Sequence, residues 1–364
     1  MSLVHALPAG PLDVIGDVHG ERQALEQLVK HLGYDDSGRH PAGRKLVFVG
    51  DFCDRGPDSP GVLALVRRWV EAGNAYAVLG NHEINLLRRD AKDGSGWFFD
   101  ERVEADNRKY APYVRADQSF AAELFPFLRQ LPLALEREDL RIVHAAWIDE
   151  KIAEARALPA GDIAAAYDLL EDAAAVHAQL RGIPALLAAE NAAWPYSLED
   201  GRHQPPVMPG HADNELNKSQ YNPLKVLTCG VERRGTEPFF AGGKWRFVER
   251  MAWWDSYNDT TPVLMGHYWR HIKPMDRRAL GKGDQSLFAD IAPSAWHGKL
   301  GNVFCIDFSV GARWTARLAG KPPEEDFKLA AMRWPERELV LDDGSRLATT
   351  QFMPKAQSAE AVAA

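Results

Sequence analysis

The sequence predicts an α/β (α+β) fold in which a β-sandwich is flanked by helices, four layers in the order αββα, interrupted by a helical insertion. Three observations lead there. Three short apolar segments, at 12–15, 45–49 and 75–79, each run directly into a polar motif, as buried strands do at the ligand-binding edge of a sheet. Helical periodicity fills the stretches between them. Alternating segments return from Gly301 onward.

The first strand, Leu12-Asp13-Val14-Ile15, delivers Gly16-Asp17-Val18-His19-Gly20. Leu25, Leu28, Val29 and Leu32 then recur at i, i+3, i+4 and i+7, which predicts a helix with one apolar face. Lys45–Val49 is the second strand and leads into Gly50-Asp51-Phe52-Cys53-Asp54-Arg55-Gly56; Val62, Leu63, Val66, Trp69 and Val70 mark the next helix. A third strand, Ala75–Leu79, precedes Gly80-Asn81-His82-Glu83. Asp17, Asp51 and Asn81 are 34 and 30 residues apart, about one βαβ unit each.

Residues 90–117 are polar and charged, a long loop near the Asn81-His82 corner. Residues 131–138 and 139–145 read as two short strands joined by a turn. Residues 150–193 are Ala-rich with helical spacing, while 195–224 carry Pro, Gly, Asn and His with little periodicity and read as an extended loop. Insertions at such an edge form the wall or lid of a site. Residues 302–307, 313–318 and 327–332 alternate like antiparallel strands and would make a second sheet. The expected organisation is a core in two halves, 1–149 and 225–347, around an insertion at 150–224, with a disordered tail at 348–364.

With 364 residues, 46% of them hydrophobic, the chain can bury a large core. Its formal charge of −8 argues against a broad nucleic-acid-binding surface. Only Cys53, Cys229 and Cys305 are present, which suggests neither a disulfide framework nor a thiolate metal site and points to a reducing cytoplasm. Residues 1–10 lack the features of a signal peptide, and no apolar run approaches the ~20 residues of a membrane span.

The three motifs follow the patterns GD-x-HG, GD-xx-DRG and GNHE, and Arg141-Ile142-Val143-His144-Ala145 and Val263-Leu264-Met265-Gly266-His267 add a His and a Gly-His after later strands. This series resembles the calcineurin-like metallophosphoesterases, within them the PPP-type bacterial Ser/Thr protein phosphatases and the symmetrical bis(5'-nucleosyl)-tetraphosphatases. The resemblance covers roughly residues 11–150 and 261–310 and implies the same αββα sandwich. It also implies two divalent ions, Mn²⁺ with Fe or Zn as alternatives, bridged by Asp51, with Asp17 and His19 on one and Asn81, His144 and His267 on the other. Such a pair generates hydroxide near neutral pH for in-line attack on phosphorus.

By the same resemblance His82 acts on the leaving oxygen, Asp54 fixes its tautomer, and Arg55 holds phosphate oxygens in its planar fork. Arg250 is the choice for a second phosphate-binding arginine over Arg233, Arg234 and Arg270. The chain departs from the family at His144-Ala145-Ala146, where His-Ala-Gly is usual, and at Asp307-Phe308-Ser309-Val310-Gly311, where Asp-Thr-Gly closes the strand. Asp54-Arg55 and Glu83 favour a phosphomonoesterase acting on phosphoproteins. The alternative is a symmetrical dinucleoside tetraphosphatase or other nucleotide phosphatase, with Trp253, Trp254 or Trp269 stacking a base unless they are core residues. A catalytically silent metal-binding module would have lost ligands, and none is missing. Cys53, between Asp51 and Asp54, would be a thiolate if it faced the metals.

Overall fold

The computed structural model describes residues 2–353 apart from 118, 159–160, 242, 276–282 and 284–285. Strands β2 (Leu12–Ile15), β3 (Lys45–Phe48) and β4 (Ala75–Ala77) pair in parallel. Antiparallel β11 (Ala330–Trp334), β12 (Glu338–Leu341) and β13 (Arg346–Ala348) extend them into a six-stranded sheet of order β13-β12-β11-β2-β3-β4. The second sheet joins β1 (Val4–Ala6), β5 (Ala134–Arg137), β6 (Leu140–Val143), β9 (Val263–Met265) and β10 (Val303–Cys305), in the order β1-β5-β6-β9-β10.

Period-two alternation explains why the strands read as unbroken apolar runs: both faces are covered. Val14 and Val47 share one apolar layer with Ile142, Leu264 and Phe304 of the second sheet. Their neighbours Ile15, Leu46 and Phe48 turn the other way and meet Leu25 and Leu28 of α1 (Arg22–Leu32) and Val62 and Val66 of α2 (Ser59–Glu71). The Asp58 side chain caps α2 by accepting from Gly61 N at 2.8 Å. Short helices α3 (Asn81–Leu87), α4 (Val103–Asn107) and α5 (Phe120–Leu128) follow the third motif, so the polar 90–117 stretch contains a helical turn.

The inserted stretch is helical over α6 (Asp149–Ala157), α7 (Ile163–Leu180) and α8 (Ile183–Ala193), as its spacing predicts. The extended loop expected at 195–224 is corrected: it contains α9 (Pro209–Tyr221) and the start of α10 (Pro223–Cys229). The inward positions of α9 are Gly210, Ala212 and Asn217, small or polar residues that leave no apolar stripe, and Asn217 donates to Ala174 O at 2.6 Å. A hairpin not foreseen, β7 (Glu232–Ala241) with β8 (Lys244–Arg250), packs on α9.

The C-terminal expectations change in three places. Arg313–Leu318 is helix α11, because Arg313 and Ala316 form its buried face and Arg313 donates to Phe327 O at 2.8 Å. The strand expected at 327–332 is β11, and it completes the first sheet by pairing Ala331 with Ile15 instead of founding a second. Within the expected tail, Ala348 ends β13, Thr350 N donates to Ser294 O at 2.9 Å and Met353 N to Gly301 O at 3.2 Å. The rest of that tail, 354–364, lies outside the described residues.

Candidate metal centre and phosphate-binding cleft

Parallel pairing of β2, β3 and β4 brings their C-terminal ends, and so the three motifs, to one edge. Parallel β6 and β9 bring His144 and His267 there from the other sheet. Val18 N and His19 N both donate to Asp51 O, at 3.0 and 2.9 Å, joining the first motif to the second. The buried Glu83 carboxylate accepts from Asp51 N at 2.9 Å, Phe52 N at 2.8 Å and Gly80 N at 3.0 Å, joining the second to the third. His267 N donates to Asp17 Oδ2 at 3.0 Å across the sheets.

Such tight turns force backbone into sparsely populated regions. His19, Asp51, Asp54, Arg55 and His267 have φ between 45° and 73°, the left-handed region that residues with a Cβ seldom occupy. Two glycines are needed for space: a Cβ on Gly80 would stand 2.2 Å from Asp51 Oδ1, and one on Gly266 would stand 1.9 Å from Asp17 Oδ1.

Asp51 Oδ2 lies 3.4 Å from His144 Nε2, 3.7 Å from His19 Nε2 and 3.8 Å from His82 Nε2. His19 Nδ1 donates to Cys53 O at 3.0 Å and His144 Nδ1 to Val49 O at 2.8 Å, which turns Nε2 of each ring toward the carboxylate. Asn81 Oδ1 is 3.3 Å from His144 Nε2 and 3.1 Å from His267 Nδ1. Two potential metal-binding groups result, Asp51 with His19 and His82, and Asp51 with His144 and His267. Asp17 enters neither group directly and reaches the cluster through the His267 amide.

The electrostatics favour a cation here. Burial, then the carboxylate of Asp307, then that of Asp51, hold Asp17 well above the usual carboxylate range. Burial also works to raise Asp51, yet His144 and His82 outweigh it and hold Asp51 well below that range. His144 is pushed up to about 10, because the Asp51 carboxylate outweighs the burial that works to lower it. Buried carboxylates beside inward-facing imidazole nitrogens, with no thiolate among them, fit divalent ions of the Mn, Fe or Zn kind.

His82 Nδ1 is 2.5 Å from Asp54 Oδ2, and Trp97 Nε1 donates to Asp54 Oδ1 at 2.6 Å. Sequence reasoning missed Trp97, although Trp97-Phe98-Phe99 within a polar loop was a readable signal. Arg55 places Nη1 3.0 Å from His19 Nε2 and Nη2 3.1 Å from His82 Nε2, with its guanidinium 5.2 Å from the centre of the Trp269 ring. Arg250 lines the same cleft of about 510 Å³ as Arg55 and His82. Its rivals do not: Arg233 is paired with Glu249 and Arg234 with Asp213, while Arg270 is buried and donates to the carbonyls of Ala292 and Ala295.

Burial decides two readings that the sequence leaves open. Trp253 and Trp254 are core residues, 2% and 1% exposed, and Trp253 Nε1 donates to Ala145 O at 3.0 Å, so neither presents a face for a base. Cys53 turns into the core with Sγ 3.5 Å from Glu83 Oε1; burial and the carboxylates of Asp54 and Glu83 push its thiol up, against a thiolate. Among the described residues no helix is long and apolar enough to cross a membrane.

Residues 10–181 match the family described as calcineurin-like phosphoesterase. The asymmetrical bis(5'-nucleosyl)-tetraphosphatase PrpE of Geobacillus sp. (strain WCH70) is 50% identical over 80 residues, 21% of this chain and 33% of that protein. The symmetrical bis(5'-nucleosyl)-tetraphosphatase of Ralstonia nicotianae is 36% identical over 139 residues, 37% of this chain and 41% of that protein. The matches thus span about a third to two fifths of these relatives' lengths. A solved cold-active protein-tyrosine phosphatase of a psychrophilic Shewanella sp. aligns over 96% of this chain and 83% of its own, at 16% identity and a TM-score of 0.44.

Proposed function

We propose that this protein, whose residues 10–181 match the calcineurin-like phosphoesterase family, is a two-metal-dependent hydrolase of phosphate esters and anhydrides. The observation that carries the reading is one buried carboxylate oxygen, Asp51 Oδ2, lying 3.4–3.8 Å from three imidazole Nε2 atoms beside the Asp54–His82 pair. Asp17, His19, Asp51, Asn81, His144 and His267 would hold the ions. Bound there, divalent ions supply Lewis-acid charge and lower the pKa of water toward neutrality.

The chain's own groups account for the remaining steps. Arg55 donates to two imidazole nitrogens that face the cleft, and a bound phosphate offers it two oxygen acceptors in their place. Arg250 adds a second cation to the same cleft. The Asp54 carboxylate holds His82 Nδ1 and so orients the ring, and His82 Nε2 can deliver a proton to the departing oxygen. Water adds across the bond: its hydroxyl goes to phosphorus, the phosphorus–oxygen bond to the leaving group breaks, and that oxygen receives the proton.

Two substrate classes fit this chemistry, a phosphoprotein monoester and a dinucleoside polyphosphate. The names of the matched relatives favour the second, whereas the burial of Trp253 and Trp254 removes two of the base-stacking faces it was expected to use. The test is turnover of p-nitrophenyl phosphate, a phosphoserine peptide and diadenosine tetraphosphate with Mn²⁺, Fe²⁺ or Zn²⁺ and after chelation. Metal-dependent turnover that chelation abolishes is expected; no turnover of any of the three with any metal would overturn the reading.

A further inference from the structure

We infer that the β7–β8 hairpin is a second anion-binding wall, and that it takes the phosphates of an anhydride-linked chain beyond the phosphate under attack. This rests on the hydrolase reading and specifies its substrate class. Side chains two apart on a strand share a face, so Lys244, Arg246 and Arg250 of β8 all line the cleft that holds Arg55 and His82. The intervening residues face away: Trp245 Nε1 donates to Asp200 O at 3.0 Å, and Phe247 packs with Met208 and Ala212. Across the ladder the three cations meet Ala241, Phe239 and Glu232, so one carboxylate faces three positive charges.

The two sides of the hairpin differ in pairing. Outside the cleft, Arg233 is matched by Glu249 at 2.7 Å and Arg234 by Asp213. Inside it, among the described residues, Lys244, Arg246 and Arg250 form no ion pair, and the side-chain hydrogen bond of Arg246 goes to a backbone carbonyl, Ala241 O at 3.3 Å. Of the two carboxylates lining the cleft, Asp93 is already engaged by Lys109 at 2.6 Å and Tyr110 at 2.5 Å. Burial, and then the charge of Arg246, lower the proton affinity of Lys244; burial lowers that of Arg246 too, against the nearby Glu215 and Glu232 carboxylates. Like charges gathered without partners in a cleft of about 510 Å³ are complementary to a multivalent anion of small-molecule size.

One phosphate is served by Arg55 and Arg250. Lys244 and Arg246 exceed that need, and a row of cations at two-residue spacing suits consecutive phosphates better than a single monoester on a polypeptide. The wall is accordingly a determinant of specificity for nucleoside or dinucleoside polyphosphates, a role distinct from that of the groups at the reacting phosphorus.

The test uses the full chain with Lys244→Gln and Arg246→Gln combined. In the metal-loaded enzyme, kcat/KM for diadenosine tetraphosphate should fall roughly 100-fold, mainly through KM, while that for p-nitrophenyl phosphate changes by less than about threefold. Titration of the metal-free protein with inorganic tripolyphosphate supplies a readout without turnover. Native protein should bind it at least about tenfold tighter than orthophosphate, and the double variant should lose that margin. Equal losses on both substrates, tripolyphosphate binding no tighter than orthophosphate, or a selective loss on an acidic phosphoserine peptide instead of the tetraphosphate would each overturn the inference. Failure of the native enzyme on every ester would sink the hydrolase reading alone, because the titration still judges the wall.

Discussion

The strand-end cluster and the inserted stretch from α6 through β8, whose hairpin lines the cleft, are built on opposite principles. Asp17, His19, Asp51, His82, His144 and His267 are at most 7% exposed and Asn81 is half-buried, and hydrogen bonds and left-handed turns at His19, Asp51 and His267 lock the backbone. The inserted stretch buries Met208, Phe247 and Val248 in one apolar cluster with Ala212 but leaves Leu169, Val176 and Leu180 60–79% exposed. Ion pairs near solvent, Lys225 with Glu215 and Arg234 with Asp213, add to its polar contacts. Bond-making chemistry needs groups fixed to fractions of an ångström, which burial supplies; recognition of different phosphates needs charges that can be exchanged without unfolding the core.

Substitutions probe that division. Asp51→Asn strikes the rigid side hardest: turnover should drop to background and both ions should be lost while the circular dichroism spectrum is kept, because one carboxylate serves both metal groups. Two tightly bound ions with full activity would falsify the bridging assignment. His82→Asn should slow phosphoserine peptides by ~10²–10⁴-fold but p-nitrophenyl phosphate far less, since an alkoxide needs the proton and a nitrophenolate hardly does. Trp97→Phe, which removes a donor from Asp54, should show the same leaving-group dependence in weaker form, about tenfold. Equal slowing of both substrates by His82→Asn would assign the ring to positioning instead.

Stability measurements sharpen the same contrast. Trp254→Ala should destabilise the fold by ~3–5 kcal/mol and depress all activities alike, whereas Leu180→Glu on the exposed face of α7 should stay within ~0.5 kcal/mol in thermal melts. A modest, pH-dependent effect is expected at Glu215, paired with Lys225 at 3.1 Å and Lys218 at 3.4 Å. Burial works to raise its pKa, but the two lysines bring it from 4.5 to about 2. A folded-state value below the unfolded one stabilises above about pH 4.5, and that contribution fades as pH falls toward about 2. Glu215→Gln should therefore cost roughly 1 kcal/mol near neutrality, the pair being half-exposed, and the gap to the native protein should narrow on acidification. A gap that widens would refute the pairing.

The cluster was legible because its signal is contiguous: a buried strand followed at once by Gly-Asp or Gly-Asn puts the functional group at a sheet edge without knowledge of distant partners. Arg250 was less so, since what distinguishes it from Arg233 is the face of a hairpin that the sequence reading did not recognise. Alternation in Lys244-Trp245-Arg246-Phe247 was the available clue. Sheet membership was hidden for a different reason. The pairing of β11 with β2 joins Ala331 to Ile15 across nearly the whole chain, and local alternation carries no record of such a partner. The same alternation misread Arg313–Leu318, where Arg313 and Ala316 lie on one helical face. Helix α9 escaped because tight packing of Gly210 and Ala212 needs no apolar stripe.

Asp17, Asp51 and Asn81 issue from one sheet and His144 and His267 from the other, so an ion gripped by both sets fastens the two layers as a rivet would. Sheet docking and ion uptake then become linked equilibria: at free metal 100-fold above the dissociation constant each site adds ~2.7 kcal/mol to the closed sandwich and nothing to separated sheets. Chelation should accordingly register as faster amide exchange along the interior seam of Val14, Val47 and Leu264, the layer the rivet clamps. On this arrangement an ion held there would set the lifetime of the closed sandwich as well as assist catalysis.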